Sequence, residues 1–119
     1  MKGAVCVYYV PMNMRVTPIR TRIFREGEDL SSFIVSHCET LSERSVLVVT
    51  SKIVALSEKR TACIGTEQDK EALIRKESDR AVKTKYVWLT VKDGMLMASA
   101  GIDESNADGK LILLPKESF

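Results

Sequence analysis

The chain predicts a mixed α+β fold, α and β layered together, in which about three helices cover a layered mixed sheet of four to six strands. Three observations carry this. Apolar, β-branched runs recur at Ala4 to Val10, Val46 to Val49 and Lys110 to Leu114. Segments whose apolar residues repeat at helical spacing lie between them. Two further apolar runs flank Asp93-Gly94, a turn signature that predicts a β-hairpin toward the C-terminal end.

Taken in order, Ala4-Val5-Cys6-Val7-Tyr8-Tyr9-Val10 is β-branched and aromatic and is punctuated by Pro11, which predicts a first strand. Arg20 to Phe24 alternates less cleanly and stops at Glu26-Gly27, as a short strand or a loop. Asp29 offers an N-cap to a helix in which Leu30, Phe33, Ile34, His37, Cys38 and Leu41 recur every three or four residues. His37 falls on or beside that apolar face, where a lone histidine is ordinarily a core or boundary residue, and the chain has no second histidine with which to build a metal site.

Val46 to Val49 is all apolar and predicts a strand covered on both faces. Thr50-Ser51 then supplies an N-cap pair for a short helix over Lys52 to Glu58. Glu67 to Val82 is rich in helix formers with a thin apolar stripe that includes Leu73, Ile74 and Ala81, which predicts an exposed helix packed along one edge. Tyr86 to Val91 and Met95 to Ala100 form the hairpin, with Met95 and Met97 read as core and interface filler. A final strand over Lys110 to Leu114 is closed by Pro115.

A chain of 119 residues is long enough to bury a core and is read as a single domain, 1–119. With 45% hydrophobic and 29% charged residues, its composition excludes disordered, collagenous and repeat classes. Eighteen Lys and Arg against sixteen Asp and Glu give a net charge of +2, too near balance to argue for nucleic-acid binding. Arg15, Arg20, Arg22 and Arg25 crowd one segment, either as a solvated face or as a surface for a polyanion such as a nucleotide triphosphate. Cys6, Cys38 and Cys63 are odd in number and widely spaced, which suits reduced, buried thiols in a cytoplasmic protein. No stretch approaches the roughly 20 apolar residues of a membrane-spanning helix, and the N-terminal run reads as a strand rather than a signal peptide.

Two motifs carry chemistry. At Thr50-Ser51-Lys52 a strand-to-helix junction presents unpaired backbone N–H groups beside a mobile cation, which suits phosphate or carboxylate. Lys52 is otherwise a solvated first-turn residue. The chain has no Walker-type glycine loop, so a nucleotide would not sit in a P-loop. Ala100-Gly101-Ile102-Asp103-Glu104-Ser105-Asn106 follows an apolar strand and offers Asp103 and Asn106 as oxygen donors, either to one bound cation and nucleotide or to their own backbone in a tight turn. Glu77 and Asp79 are two positions apart and point to different sides of a helix, which disfavours a shared acid–base role and leaves helix-surface or capping contacts.

Pro18-Ile19-Arg20-Thr21-Arg22, Glu26-Gly27-Glu28-Asp29-Leu30, the T-S-K-I-V box at Thr50, the R-K-E-S-D box at Arg75, A-G-I-D-E-S-N and Leu113-Leu114-Pro115 stand in a fixed order. In these elements the chain resembles the N-terminal part of the gamma-glutamyl ligases of the deazaflavin coenzyme F-420. The resemblance implies a GTP-dependent reaction with Mg²⁺ or Mn²⁺ that joins L-glutamate to the deazaflavin coenzyme precursor through an amide bond. It also implies a homodimer. On the matching positions it implies Asp103 as a metal ligand and Arg22, Ser51, Lys52 and Asn106 as nucleotide contacts. Two departures stand out: Ala55-Leu56 replaces the second Ser-Lys of an S-K-x-x-S-K pattern, and Thr21-Arg22-Ile23-Phe24 replaces a Leu/Pro-rich loop. Family chains continue past the length of this one, so two readings stand, the N-terminal domain of an enzyme and a non-catalytic nucleotide-binding or dimerisation module with the same fold.

Overall fold

The computed structural model describes residues 15–63, 65–104 and 109–116. Helix α1 spans Leu30–His37 and begins where the Asp29 carboxylate accepts the Ser32 N–H at 2.8 Å. Helix α2 spans Ser51–Ser57, and strand β1, Thr61–Cys63, follows it. Helix α3, Glu67–Lys76, opens on a reciprocal capping box between Thr66 and Asp69 and carries Arg75 and Lys76 in its last turn, where they face the negative end of the helix dipole.

Strands β2 (Arg80–Lys83), β3 (Trp88–Lys92) and β4 (Met95–Ala98) form an antiparallel sheet in the order β2-β3-β4. The β3–β4 turn is Asp93-Gly94 with both residues at positive φ, the geometry that a two-residue hairpin requires. Strand β5, Lys110–Ile112, pairs antiparallel with β1 in a separate two-stranded sheet that matches Thr61 to Ile112 and Cys63 to Lys110. The fold is mixed α+β with three helices among the described residues, and its strands are divided between two small antiparallel sheets.

The core gathers Ala55, Ile74, Trp88, Ala100 and the run Leu111 to Leu113. Phe24 and Phe33 pack edge to face at 4.8 Å and anchor the segment before α1, with the His37 ring 4.4 Å from Phe33. His37 Nδ1 lies 2.8 Å from the Phe33 carbonyl, so the ring is a boundary group tied to its own helix. The outer face of the three-stranded sheet is apolar and uncovered at Val82, Leu89 and Leu96, and Met95 is exposed rather than core filler.

Several expectations are corrected. Val46 to Val49 is no strand: Val46 and Val48 are 86% and 83% exposed, and among the described residues no strand pairs with this run. The helix predicted to Val82 ends at Lys76, because Glu77 caps it and the following residues gain a ladder against β3, which Asp79 extends by donating its N–H to the Val91 carbonyl. Leu41 lies beyond α1 and is exposed. Cys63 is exposed and Cys38 half-buried, both as free thiols rather than buried ones. Strand β1 has no counterpart in the sequence reading. The strand predicted over Ala4 to Val10, together with Cys6, lies outside the described residues.

The end of α3 is clasped to the rest of the fold by Glu77. Its carboxylate meets Arg60 at 2.5 Å and Lys92 at 3.2 Å, and Arg60 Nε donates to the Leu114 carbonyl. Burial pushes the Glu77 pKa upward, but the hydrogen bonds and charges of Arg60 and Lys92 outweigh it and hold the carboxyl below the usual carboxylate range. Glu77 is thus neither a surface ion nor an acid–base partner of Asp79. It neutralises two largely buried cations.

Replacing Glu77 by Gln is expected to cost about 3 kcal/mol, at the low end for leaving buried charges unpaired. Because the folded-state pKa is depressed, the carboxylate's contribution is fully present above the ordinary value of 4.5 and is lost as the pH falls through the folded value. Urea unfolding across this acidic range should therefore show a shallower pH dependence for Glu77→Gln than for the wild type. Equal slopes would remove the clasp from the account.

Candidate functional site

The site forms where the start of α2 meets the end of the hairpin. Thr50 is extended, at φ −71° and ψ 144°, and turns the chain into α2, so that Ser51 and Lys52 open the helix side by side. With only seven residues, α2 contributes little dipole, and the charge at this place comes from the Lys52 ammonium rather than from the helix end. From the other side, β4 ends in a tight turn, Ser99–Gly101, that redirects the chain. Asp103 then exchanges both backbone hydrogen bonds with Ile112, each 2.8 Å long.

That bridge sets Asp103 against α2. Lys52 Nζ lies 2.5 Å from Asp103 Oδ2, with the two side chains 35% and 37% exposed. Beside the pair is a cavity of about 110 Å³ lined by Ser51, Lys52, Gly101, Asp103 and Leu114. At this exposure the ion pair is worth at most about 1 kcal/mol, so its stability contribution is small. A cation and an anion that share one small cavity suit a ligand that carries both an acidic group and a counter-ion.

A second ion pair involves the next residue in the chain. Lys70 of α3 reaches Glu104, the residue after Asp103, and this hydrogen bond holds the Lys70 pKa above the ordinary lysine value, with partial burial opposing it. Sequence reasoning missed Lys70 because its spacing on α3 marks only a solvated helix face. Gly101 was part of a recognised motif, but its role becomes visible only here. At φ +70° it adopts a backbone conformation that favours glycine, and a Cβ built on it would lie 2.6 Å from Leu114 Cδ1 and 2.7 Å from Leu114 Cγ.

Ser51, Lys52 and Asp103 are brought together, whereas Arg22 is placed elsewhere. Arg22 Nη1 meets both Glu28 oxygens at 2.9 and 2.8 Å, its guanidinium carbon lies 4.9 Å from the Phe33 ring centroid, and it lines a separate open cleft with Glu28, Asp29 and Ser32. Glu28 is held below the ordinary carboxylate range chiefly by the Arg22 hydrogen bond. Asn106, the remaining sequence-predicted nucleotide contact, lies outside the described residues.

A divalent cation does not fit the described residues by themselves. Such an ion takes six or more oxygen ligands, usually with more than one carboxylate. Asp103 supplies one carboxylate with an ammonium against it, and among the described residues no three His, Cys, Asp or Glu side chains converge.

Residues 18–119 match the family model described as F420-0:Gamma-glutamyl ligase. The chain is 31% identical over 124 aligned positions to a protein of Methanopyrus kandleri named Coenzyme F420:L-glutamate ligase, covering 87% of this chain and 49% of that protein. It is 28% identical over 116 positions to a protein of the same name from Halorubrum lacusprofundi, covering 77% of this chain and 46% of that one. The class is therefore that of proteins similar to the coenzyme F420 glutamate ligases. Within that class, the chain belongs to the F420-0:gamma-glutamyl ligase family. It spans about half the length of the curated relatives it matches.

Gly101→Ala tests the geometry of the corner. It adds a left-handed alanine, at about 1–2 kcal/mol, to an overlap with Leu114 that costs about 1–3 kcal/mol. Thermal unfolding should show a clear loss that Leu114→Ala in the same chain partly reverses. A Gly101→Ala protein as stable as the wild type would contradict the close approach.

Proposed function

We propose that this chain forms the N-terminal domain of a GTP-dependent ligase that adds L-glutamate to the deazaflavin coenzyme F-420 precursor, with the Lys52–Asp103 cavity as its phosphate-side corner. The observation that carries this reading is the meeting of the T-S-K and A-G-I-D motifs at one small cavity, in a chain of this family. In the reaction, the terminal carboxylate of the precursor takes the γ-phosphoryl group of GTP, forming an acyl phosphate and releasing GDP. The amine of glutamate then attacks the acyl phosphate, forming the amide and releasing phosphate.

On this reading Ser51 and Lys52 contact phosphate oxygens and Asn106 contacts the nucleotide, while Arg22 stays with Glu28 in its own cleft. Asp103 supplies one ligand to Mg²⁺ or Mn²⁺, with the other ligands coming from elsewhere in the protein. A phosphate in the cavity would compete with Asp103 for Lys52, because an ammonium gains more from a multiply charged anion than from one half-exposed carboxylate. The uncovered apolar sheet face at Val82, Leu89 and Leu96 supports association into a homodimer. Among the described residues no helix is long and apolar enough to cross a membrane. The Lys52 ammonium against Asp103, which competes with a divalent cation for that carboxylate, favours a second reading, a non-catalytic nucleotide-binding or dimerisation module with the same fold.

Calorimetric titration with GTP, with and without Mg²⁺, tests the site. Wild-type binding should be weak and strengthened by the metal. Lys52→Ala should weaken it about tenfold, as expected for one charge-assisted contact, and Asp103→Asn should abolish the metal dependence while the protein stays folded. Binding that ignores Mg²⁺, or an Asp103→Asn protein with an unchanged metal response, would refute the assigned roles.

The 119-residue chain by itself is expected to show no ligase turnover, because among the described residues the cavity offers Asp103 alone as a carboxylate, too little to hold the cations that neutralise a transferring phosphoryl group. Robust amide formation from GTP and glutamate by the purified chain would contradict this.

A further inference from the structure

Three consecutive residues at the end of β4 are in the left-handed region: Ser99 at φ 48°, Ala100 at φ 54° and Gly101 at φ 70°. Only the glycine adopts this conformation at no cost, so the other two must be held there by their surroundings. Ala100 is 1% exposed, which leaves its N–H without water. That N–H donates to Thr90 Oγ1 at 2.8 Å, and the same hydroxyl donates to the Met97 carbonyl at 2.8 Å. Thr90 is itself 1% exposed and is the buried polar residue of the described core.

The hydroxyl therefore spans the point where the strand stops and the turn begins. It accepts from the strained residue and donates to the strand that feeds it. On the far side of the turn, Ile102 donates its N–H to the Ser99 carbonyl, and Asp103 enters its bridge with Ile112. Gly101 is pressed against Leu114, so the corner is held from below by Thr90 and from the side by Leu114. The direction in which the chain leaves this corner sets where the Asp103 carboxylate stands relative to Lys52.

We propose that Thr90 is a positioning residue for the candidate site: its buried hydroxyl locks the left-handed turn Ser99–Gly101 and thereby aims Asp103 at Lys52. The role builds on the proposed phosphate-side corner, and Thr90 itself touches no ligand. Without the hydroxyl, the Ala100 N–H is buried and unsatisfied, and the strained turn relaxes to a conformation in which that N–H finds water. Asp103 then loses its register with Ile112.

Thr90→Val keeps the shape and removes the hydroxyl, while Thr90→Ser keeps the hydroxyl and removes a methyl group. Amide hydrogen exchange of Ala100 and Asp103 is measured on both variants, with the β2–β3 ladder amides as the reference for global opening. Thr90→Val should accelerate exchange at Ala100 and Asp103 by about 100-fold relative to those references, and should weaken Mg²⁺–GTP binding about tenfold. Thr90→Ser should melt at a lower temperature than the wild type, yet keep both amides protected and GTP affinity within about threefold. A residue that served only stability would link the melting temperature to the site in both variants.

The proposal is overturned if Ala100 and Asp103 in Thr90→Val exchange no faster than the references, or if Thr90→Ser loses their protection. Thr90→Ser decides the question by itself if Thr90→Val does not fold. Failure of the wild type to bind GTP would refute the proposed phosphate site, while the exchange measurements would still decide the role of Thr90.

Discussion

Strand β5 is the constraint on which the rest of the arrangement depends. One edge of it pairs with β1, and the other exchanges hydrogen bonds with Asp103, so a three-residue strand joins the segment after α2 to the segment after the hairpin. Its continuation is tied down as well: Leu113 donates to the Arg60 carbonyl, and the Arg60 side chain donates to the Leu114 carbonyl. Leu111, Ile112 and Leu113 are all buried, so the backbone pairing and the apolar burial of this segment reinforce each other. Without β5, α2 and the A-G-I-D corner would have no common neighbour.

The site inherits its character from this arrangement. The two charges that face each other, Lys52 and Asp103, come from separate supersecondary units and meet at the rim of the fold, where water screens them and neither is costly to keep. Deeper in, Glu77 between Arg60 and Lys92 is a different kind of interaction, largely desolvated and devoted to structure. The contrast separates a desolvated charge cluster from a half-exposed ion pair.

Much of this was legible in the sequence wherever a local signal coincided with the tertiary outcome. Asp29 marked the start of α1 and Thr50-Ser51 the start of α2, and Asp93-Gly94 specified the hairpin turn because few other dipeptides accept two positive φ values. Motif order brought Ser51, Lys52 and Asp103 into one hypothesis before any geometry was known. What failed were the places where long-range pairing overrides local preference. Arg80 to Val82 reads as the end of a helix by composition but becomes strand, with Lys83, because β3 offers a ladder. Thr61 to Cys63 is too short to signal a strand and exists because β5 reaches it. Val46 to Val49 has the composition of a buried strand, yet Val46 and Val48 are exposed and Leu47 and Val49 only partly covered. Arg22, grouped with the site by resemblance, is drawn into its own cleft by Glu28 and Phe33.

The central claim is that the Lys52–Asp103 cavity is where a nucleotide's phosphates bind. The most direct measurement is a map of backbone amide chemical-shift changes as GTP and Mg²⁺ are added to the isotopically labelled chain. The account predicts that the largest changes fall on Ser51, Lys52, Gly101, Asp103 and Ile112, around one cavity built from two distant motifs. Changes centred instead on Arg22, Glu28, Asp29 and Ser32 would move the site to the other cleft and contradict the account.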